Sequence, residues 1–199
     1  MFVSVVKLIY PEWIMSGHFD GNLTACNITT GEILPFKGHH ADVLSVDVNQ
    51  SLNMVVSGSA DLTTKIWNLS TGKVVKTLGE FSHWVVHLVL HDASQHCLER
   101  FQGKNILITM TKDFLTMFSW SDLSELSNTW SYQIPLNPTD CFVWKKVFFT
   151  PGMQLFGEKI AFVRQVAMFD THTVGDADLI IADANTGEKL FIIIILCSE

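Results

Sequence analysis

The sequence is poor in positive charge. Its 199 residues hold 13 Lys and Arg against 20 Asp and Glu, a formal net charge of −7. An electrostatic nucleic-acid footprint needs clustered Lys and Arg, so this balance argues against a nucleic-acid partner. Cysteines are few, at Cys26, Cys97, Cys141 and Cys197, and none forms a CxxC pair. Wide spacing of this kind suits buried thiols of an intracellular protein, cytoplasmic or nuclear, better than disulfides. Long apolar runs are also missing. The longest, Phe191 to Cys197, is far below the roughly 18 residues of a membrane span, so no membrane partner is expected. The opening Met1–Leu8 stretch has no basic leader and stops short of Pro11. It reads as a strand rather than a signal peptide. No Gly-rich phosphate loop and no nucleophile elbow is present. The expectation is therefore no enzyme, no cofactor and no metal.

Apolar residues make up 48% of the chain, ample for a core of one domain. Their arrangement repeats. Shifted by 41, Ser16-Gly17-His18-Phe19-Asp20 lands on Ser57-Gly58-Ser59-Ala60-Asp61. Cys26 lands on Trp67, Thr30-Gly31 on Thr71-Gly72, and Gly38 on Gly79. The best-preserved unit spans 38–78. Val43 to Val48 alternates like a strand with one buried face. Met54 to Ser59, Thr63 to Asn68 and Val74 to Leu78 read as three more strands, separated by polar turns.

A period in the low forties, with Gly-His at its opening and Trp near its end, resembles the WD40 repeat. The resemblance implies an all-β fold, a partial WD40 β-propeller of about four to five four-stranded blades. It also implies a hydrogen-bonded network inside the blade, made here by His39, Ser57, Asp61 and Trp67. The chemistry suits that role. A carboxylate can orient an imidazole, and a buried indole N–H and hydroxyl need partners. Asn68 stands where the family usually has Asp.

The other units depart from the pattern. Residues 1–37 read as a truncated blade with Cys26 in place of Trp, starting just after the position of its Gly-His pair. Residues 79–126 read as a degenerate blade with an insertion around Ala93 to Lys104. Glu80 or Phe81 sits at the histidine position there, and the interval from Asp113 to Trp120 suggests one extra turn residue. Residues 127–199 read as divergent blades, with Cys141–Trp144, Lys159–Val163 and Asp178–Leu190 as strand material. His83, His87 and His91 alternate with apolar residues, so a half-buried strand is favoured over a metal site. The turn residues His40, Asp42 and Ser82 near blade starts are candidates for partner contact.

The run Gly38-His39, Val46-Asp47, Val55 to Asp61, Lys65-Ile66-Trp67, Leu69-Ser70 and His83-Trp84-Val85 is similar to F-box and WD-repeat proteins. The F-box/WD-repeat protein 2 family is the most similar. In that family an F-box docks the adaptor Skp1 of an SCF ubiquitin ligase and the propeller holds a protein substrate. No F-box lies in these residues, so Skp1 binding is expected only through a segment outside them. Two alternatives stay open. One is a WD40 scaffold of another pathway. The other is a truncated gene product without autonomous function.

Overall fold

The computed structural model describes residues 2–94, 98–133, 153–156, 158–165 and 177–195. Four antiparallel sheets, each of four strands in sequential order, build the molecule. The first holds β1 (Val3–Ile9), β2 (Trp13–His18), β3 (Leu23–Asn27) and β4 (Ile33–Phe36). The second holds β5 (Val43–Asn49), β6 (Met54–Ser59), β7 (Thr64–Asn68) and β8 (Val74–Leu78). The third holds β9 (His87–His91), β10 (Asn105–Met110), β11 (Phe114–Trp120) and β12 (Ser127–Gln133). The fourth holds β13 (Met153–Phe156), β14 (Lys159–Gln165), β15 (Ala177–Asp183) and β16 (Lys189–Ile195). The first strands of successive sheets lie side by side. This is the all-β, propeller-type arrangement that the repeat predicts.

The first unit, read as starting just after the position of its Gly-His pair, carries four strands. One boundary differs from the sequence reading. Strand β12 belongs to the third sheet, paired with β11 through Phe114↔Gln133 to Ser119↔Ser127, although the spacing assigned it to the following unit. Within the third unit, the strand expected from Trp84 begins only at His87. The preceding residues cross between sheets: the Val85 amide donates to the Ser59 carbonyl, and the Val86 amide to that of Met110. The expected strand at Cys141–Trp144 lies outside the described residues.

Period-two alternation sorts side chains to the two faces of each sheet. Leu23, Ala25 and Asn27 are buried while Thr24 and Cys26 between them are only partly covered. The buried set packs in layers between sheets rather than in one central core. Met15, Leu23, Ala25 and Phe36 meet Val43, Val46, Val55 and Trp67 between the first and second sheets. Val56 and Ile66 meet Leu88, Leu90, Leu107, Phe118 and Trp120 between the second and third. Ile106, Ile108, Leu115 and Met117 meet Met153, Ile160, Ile180 and Ala182 between the third and fourth. Gly58 permits one of these approaches: a Cβ there would sit 2.5 Å from Val85 Cγ1.

Polar ties join the first strands. The buried Asp47 accepts from the Leu90 amide at 2.9 Å and meets Lys7 Nζ at 2.8 Å. One carboxylate thus links β1, β5 and β9. Asn49 donates to Asp92 at 3.1 Å. The turn after the third strand also recurs. The Asn68 side chain accepts from the Thr71 amide, and the Gly72 amide returns to the Asn68 carbonyl with Gly72 at φ 67°. Asn27 with Gly31 and Asp183 with Gly187 do the same. A short side-chain acceptor and a residue free to adopt positive φ are what this turn requires. Asn at position 68 therefore does the work of the family's Asp.

Candidate functional site

The four residues singled out in the second unit meet. His39 Nδ1 lies 2.7 Å from Asp61 Oδ2, and His39 Nε2 lies 2.8 Å from Ser57 Oγ. The Trp67 indole N–H donates to Ser57 Oγ at 2.8 Å. One proton arrangement satisfies every group: Nδ1–H donates to Asp61, Ser57 donates to Nε2, and Trp67 donates to Ser57. The imidazole is then neutral, and burial holds the His39 pKa below its ordinary value against the pull of Asp61.

Asp61 gathers four donors. His39 and the His40 amide approach Oδ2, and the Thr63 amide and hydroxyl approach Oδ1, the latter at 2.6 Å. Burial alone would raise its pKa. The bonds from Thr63, His39 and the His40 amide outweigh that and hold it at about 2. Sequence reasoning missed Thr63. The Asp-x-Thr spacing in a tight hairpin was its signal.

This network seals the seam between the first and second sheets. Gly38 lies directly on the indole, so that a Cβ there would come within 3.2 Å of both Trp67 Cη2 and Val74 Cγ2. Trp67 itself is fully buried and meets the Phe36 ring edge-on at 5.9 Å. The arrangement can hold a strand junction rigid.

The third unit lacks the seal. Thr109 and Asp113 hold the places of Ser57 and Asp61. Of the two residues expected at the histidine position, Glu80 is exposed with φ 66°, and Phe81 takes the place of the imidazole, edge-on to Phe118 as His39 is to Trp67 at 5.8 Å. His83 instead reaches Asp113, Nδ1 to Oδ2 at 2.9 Å. The tryptophan place is also reassigned. Val55 pairs with Trp67, whereas the matching Leu107 pairs with Phe118 and not Trp120. The hairpin between the last paired residues is one residue shorter here, 111–114 against 59–63. The extra residue inferred from the Asp113–Trp120 interval is therefore not in the turn; Trp120 sits two positions further along the strand.

A smaller ring and a diverted chain leave space. Gly79 has only Thr63 Cγ2 near it, at 3.9 Å. Between the 77–82 segment and the third sheet lies a groove of about 520 Å³. Leu78, Phe81, Phe114 and Phe118 give it apolar walls, and Thr116, Asn128 and Ser131 add polar groups. Phe81 meets Phe118 edge-on at 6.3 Å. Ser82, a candidate contact residue, lines this groove. His40 is exposed and Asp42 partly exposed, and neither lines it.

The first unit makes a third variant. Ser16, His18 and Thr24 converge, with His18 Nε2 3.0 Å from Thr24 Oγ1 and Ser16 Oγ 2.8 Å from Thr24 Oγ1. Asp20 stays exposed, capping its own turn through the Asn22 amide. His87 and His91 lie on β9, while His83 precedes it. Among the described residues no cluster of His, Cys, Asp and Glu could hold a metal ion. Cys26 is a free thiol; the other three cysteines lie outside the described residues. No helix among the described residues is long and apolar enough to cross a membrane.

Comparison with known proteins places these features. Residues 27–68 match the family model "WD domain, G-beta repeat", a span that contains the whole His39–Ser57–Asp61–Trp67 network. The WD repeat-containing protein SL1-17 of Schistosoma mansoni is 33% identical over 69 residues, 33% of this chain and 23% of that protein. A computationally designed protein, Ika8, superposes with a TM-score of 0.64 at 20% identity, over 96% of this chain and 48% of that one. The Cps50 (Swd1) beta-propeller domain of Myceliophteria thermophila gives 0.63 at 17% identity, over 98% of this chain and 55% of that one. The chain thus spans about a quarter of the curated relative and about half of each of the two solved chains. Its fold is that of a WD40 β-propeller, in part.

Proposed function

We propose that the chain is a protein-interaction platform and that the groove between the second and third blades receives a segment of its protein partner. The observation that carries this is the missing seal: where the second blade closes over Trp67, the third leaves an apolar channel rimmed by hydroxyl and amide groups. Apolar walls supply contact area and the rim orients a backbone, the usual division of labour in a binding cleft. The mechanism is binding, with no chemical step. The test is a pair of rim substitutions, Ser131→Arg and Asn128→Arg, both at exposed positions. Each is expected to weaken partner binding at least tenfold with an unchanged melting temperature. Unchanged binding in both removes the groove from the reading.

The finer reading makes this platform the substrate-holding part of an F-box and WD-repeat receptor of an SCF ubiquitin ligase, acting in the cytoplasm or nucleus. The run from Gly38 to Val85 supports it. Skp1 would then dock through an F-box outside residues 1–199. If so, the partner's lifetime lengthens when the gene product is depleted, and Skp1 co-purifies with the longest product. A partner whose lifetime is unchanged, with no Skp1 present, leaves a WD40 scaffold of another pathway.

A further inference from the structure

Glu80 holds a backbone conformation that favours glycine, with φ 66°. The left-handed conformation falls on this residue and not on Gly79 beside it. A Cβ makes that region costly, and such strain gathers where a side chain is needed for function. A second strained residue is joined to the same segment. Leu62 has φ 65°, and its carbonyl accepts from the Phe81 amide at 3.3 Å. In the matching hairpin of the first blade a glycine, Gly21, takes this conformation instead. The segment that walls the groove is thus held in place by two strained positions, and Glu80 stands exposed on it.

The charge of the groove is one-sided. Among the described residues that line it, Glu80 alone is charged. Its carboxylate has no hydrogen-bond or ion-pair partner among the described residues. The cations nearby are engaged or stand outside. Lys76 Nζ donates to the Leu123 carbonyl at 3.0 Å, and Lys65 Nζ to the Thr77 hydroxyl at 3.2 Å. Lys112 is exposed on the 111–114 hairpin and does not line the groove. Phe81, Phe114 and Phe118 bring three phenyl rings to the same cavity. Aromatic faces attract cations, and Lys and Arg carry an apolar stem behind a charged head. A neutral side chain would leave the carboxylate unpaired, and an acidic one would meet it as like charge. We propose that the groove takes a lysine or arginine side chain of the partner segment, its stem against the phenylalanines and its head at Glu80. This rests on the groove being the docking site and adds the chemistry of what docks there.

Titration of the 199-residue chain with capped tripeptides, followed by backbone amide shifts in NMR, reads the outcome. Each peptide carries leucine on both sides of a central arginine, lysine, citrulline, norleucine or glutamate. The arginine and lysine peptides are expected to shift the amides of Gly79, Phe81 and Ser131. They should bind about fivefold more tightly than the citrulline and norleucine peptides, with the glutamate peptide weakest. Glu80→Gln should abolish that preference while circular dichroism stays unchanged. Glu80→Gly should abolish it too and yet raise the urea midpoint, a split that a structural role for the side chain would not produce. Glu125→Gln, at an exposed position outside the lining, should keep the preference. Equal binding of the arginine and citrulline peptides, or a preference that survives in Glu80→Gln, overturns the inference. So does the absence of any shift at the groove amides with every peptide. The two readings fail separately. Citrulline and norleucine peptides that bind the groove as well as arginine does, and are lost in Ser131→Arg, keep the groove as docking site and remove only its basic occupant. No groove shift with any peptide, together with partner binding that ignores Ser131→Arg and Asn128→Arg, removes both.

Discussion

The second and third blades start from the same template and end in different roles. In the second, Gly38 lies on Trp67, and His39 is fixed between Asp61 and Ser57. The chain that enters the blade is pinned, and the seam is dry. In the third, Phe81 lies against Phe118 as His39 lies against the indole, and Asp113 takes His83 as its partner from a later position in the chain. The carboxylate still lies beside an imidazole, but the entering segment meets the ring through an apolar side chain that makes no hydrogen bond. A propeller thus tolerates loss of its signature because the apolar layers between sheets persist. What is lost is closure of the seam, and a groove opens where closure failed.

The largest effect should come from the seal itself. Trp67→Ala removes a fully buried indole and the hydrogen bond it donates to Ser57. Unfolding in urea should show a loss of about 4 kcal/mol, the range for large aromatic deletions in cores. The comparison sharpens with the two carboxylates. Asp61→Ala leaves the donors of His39, His40 and Thr63 without an acceptor and should cost about 3 kcal/mol. Asp113→Ala, holding a half-exposed His83, should cost under about 1 kcal/mol. Equal losses in the two variants would erase the distinction between the blades.

Acid should act through His39 and His87, in the second and third blades. His39 has a lowered pKa in the fold, so the unfolded chain binds its proton more readily. Stability is then full above the unfolded value near 6.5 and declines as pH falls below it. Asp61, held at about 2, adds a further loss as pH falls from about 4 toward 2. His87, also lowered by burial, contributes in the same sense as His39. Melting temperatures from pH 7.5 to 5 should fall in the parent chain and fall less in His39→Gln. The smallest effect belongs to the third blade. Glu80→Gly relieves a positive φ of 66° and should stabilise by about 0.5–1 kcal/mol, measured as a rise in the urea midpoint.

Much of the second blade was legible because its signals are local. Alternation over Val43 to Val48, the tight hairpin at Asp61 and the Thr71-Gly72 turn each depend on a few adjacent residues. The four network residues were legible through the resemblance to the WD40 repeat, which implies them, and the matching of buried donors and acceptors is consistent with that role. Phe118 was not legible as the counterpart of Trp67, because a shorter hairpin shifts the pairing while the sequence still displays Trp120. His83 as partner of Asp113 was hidden likewise, since Trp84 to Val86 crosses between sheets instead of continuing β9 toward its start.

By itself, then, the sequence determined the repeat and the four-stranded unit, because these follow from residue type at short range, and its resemblance to the WD40 repeat implied the polar network of one blade. Only the tertiary structure decided which face of each sheet is covered, where a seam stays open and which carboxylate holds the entering chain. Those outcomes depend on pairing register and on the shape of the neighbouring sheet, and a shift of one or two residues changes them without altering composition or period.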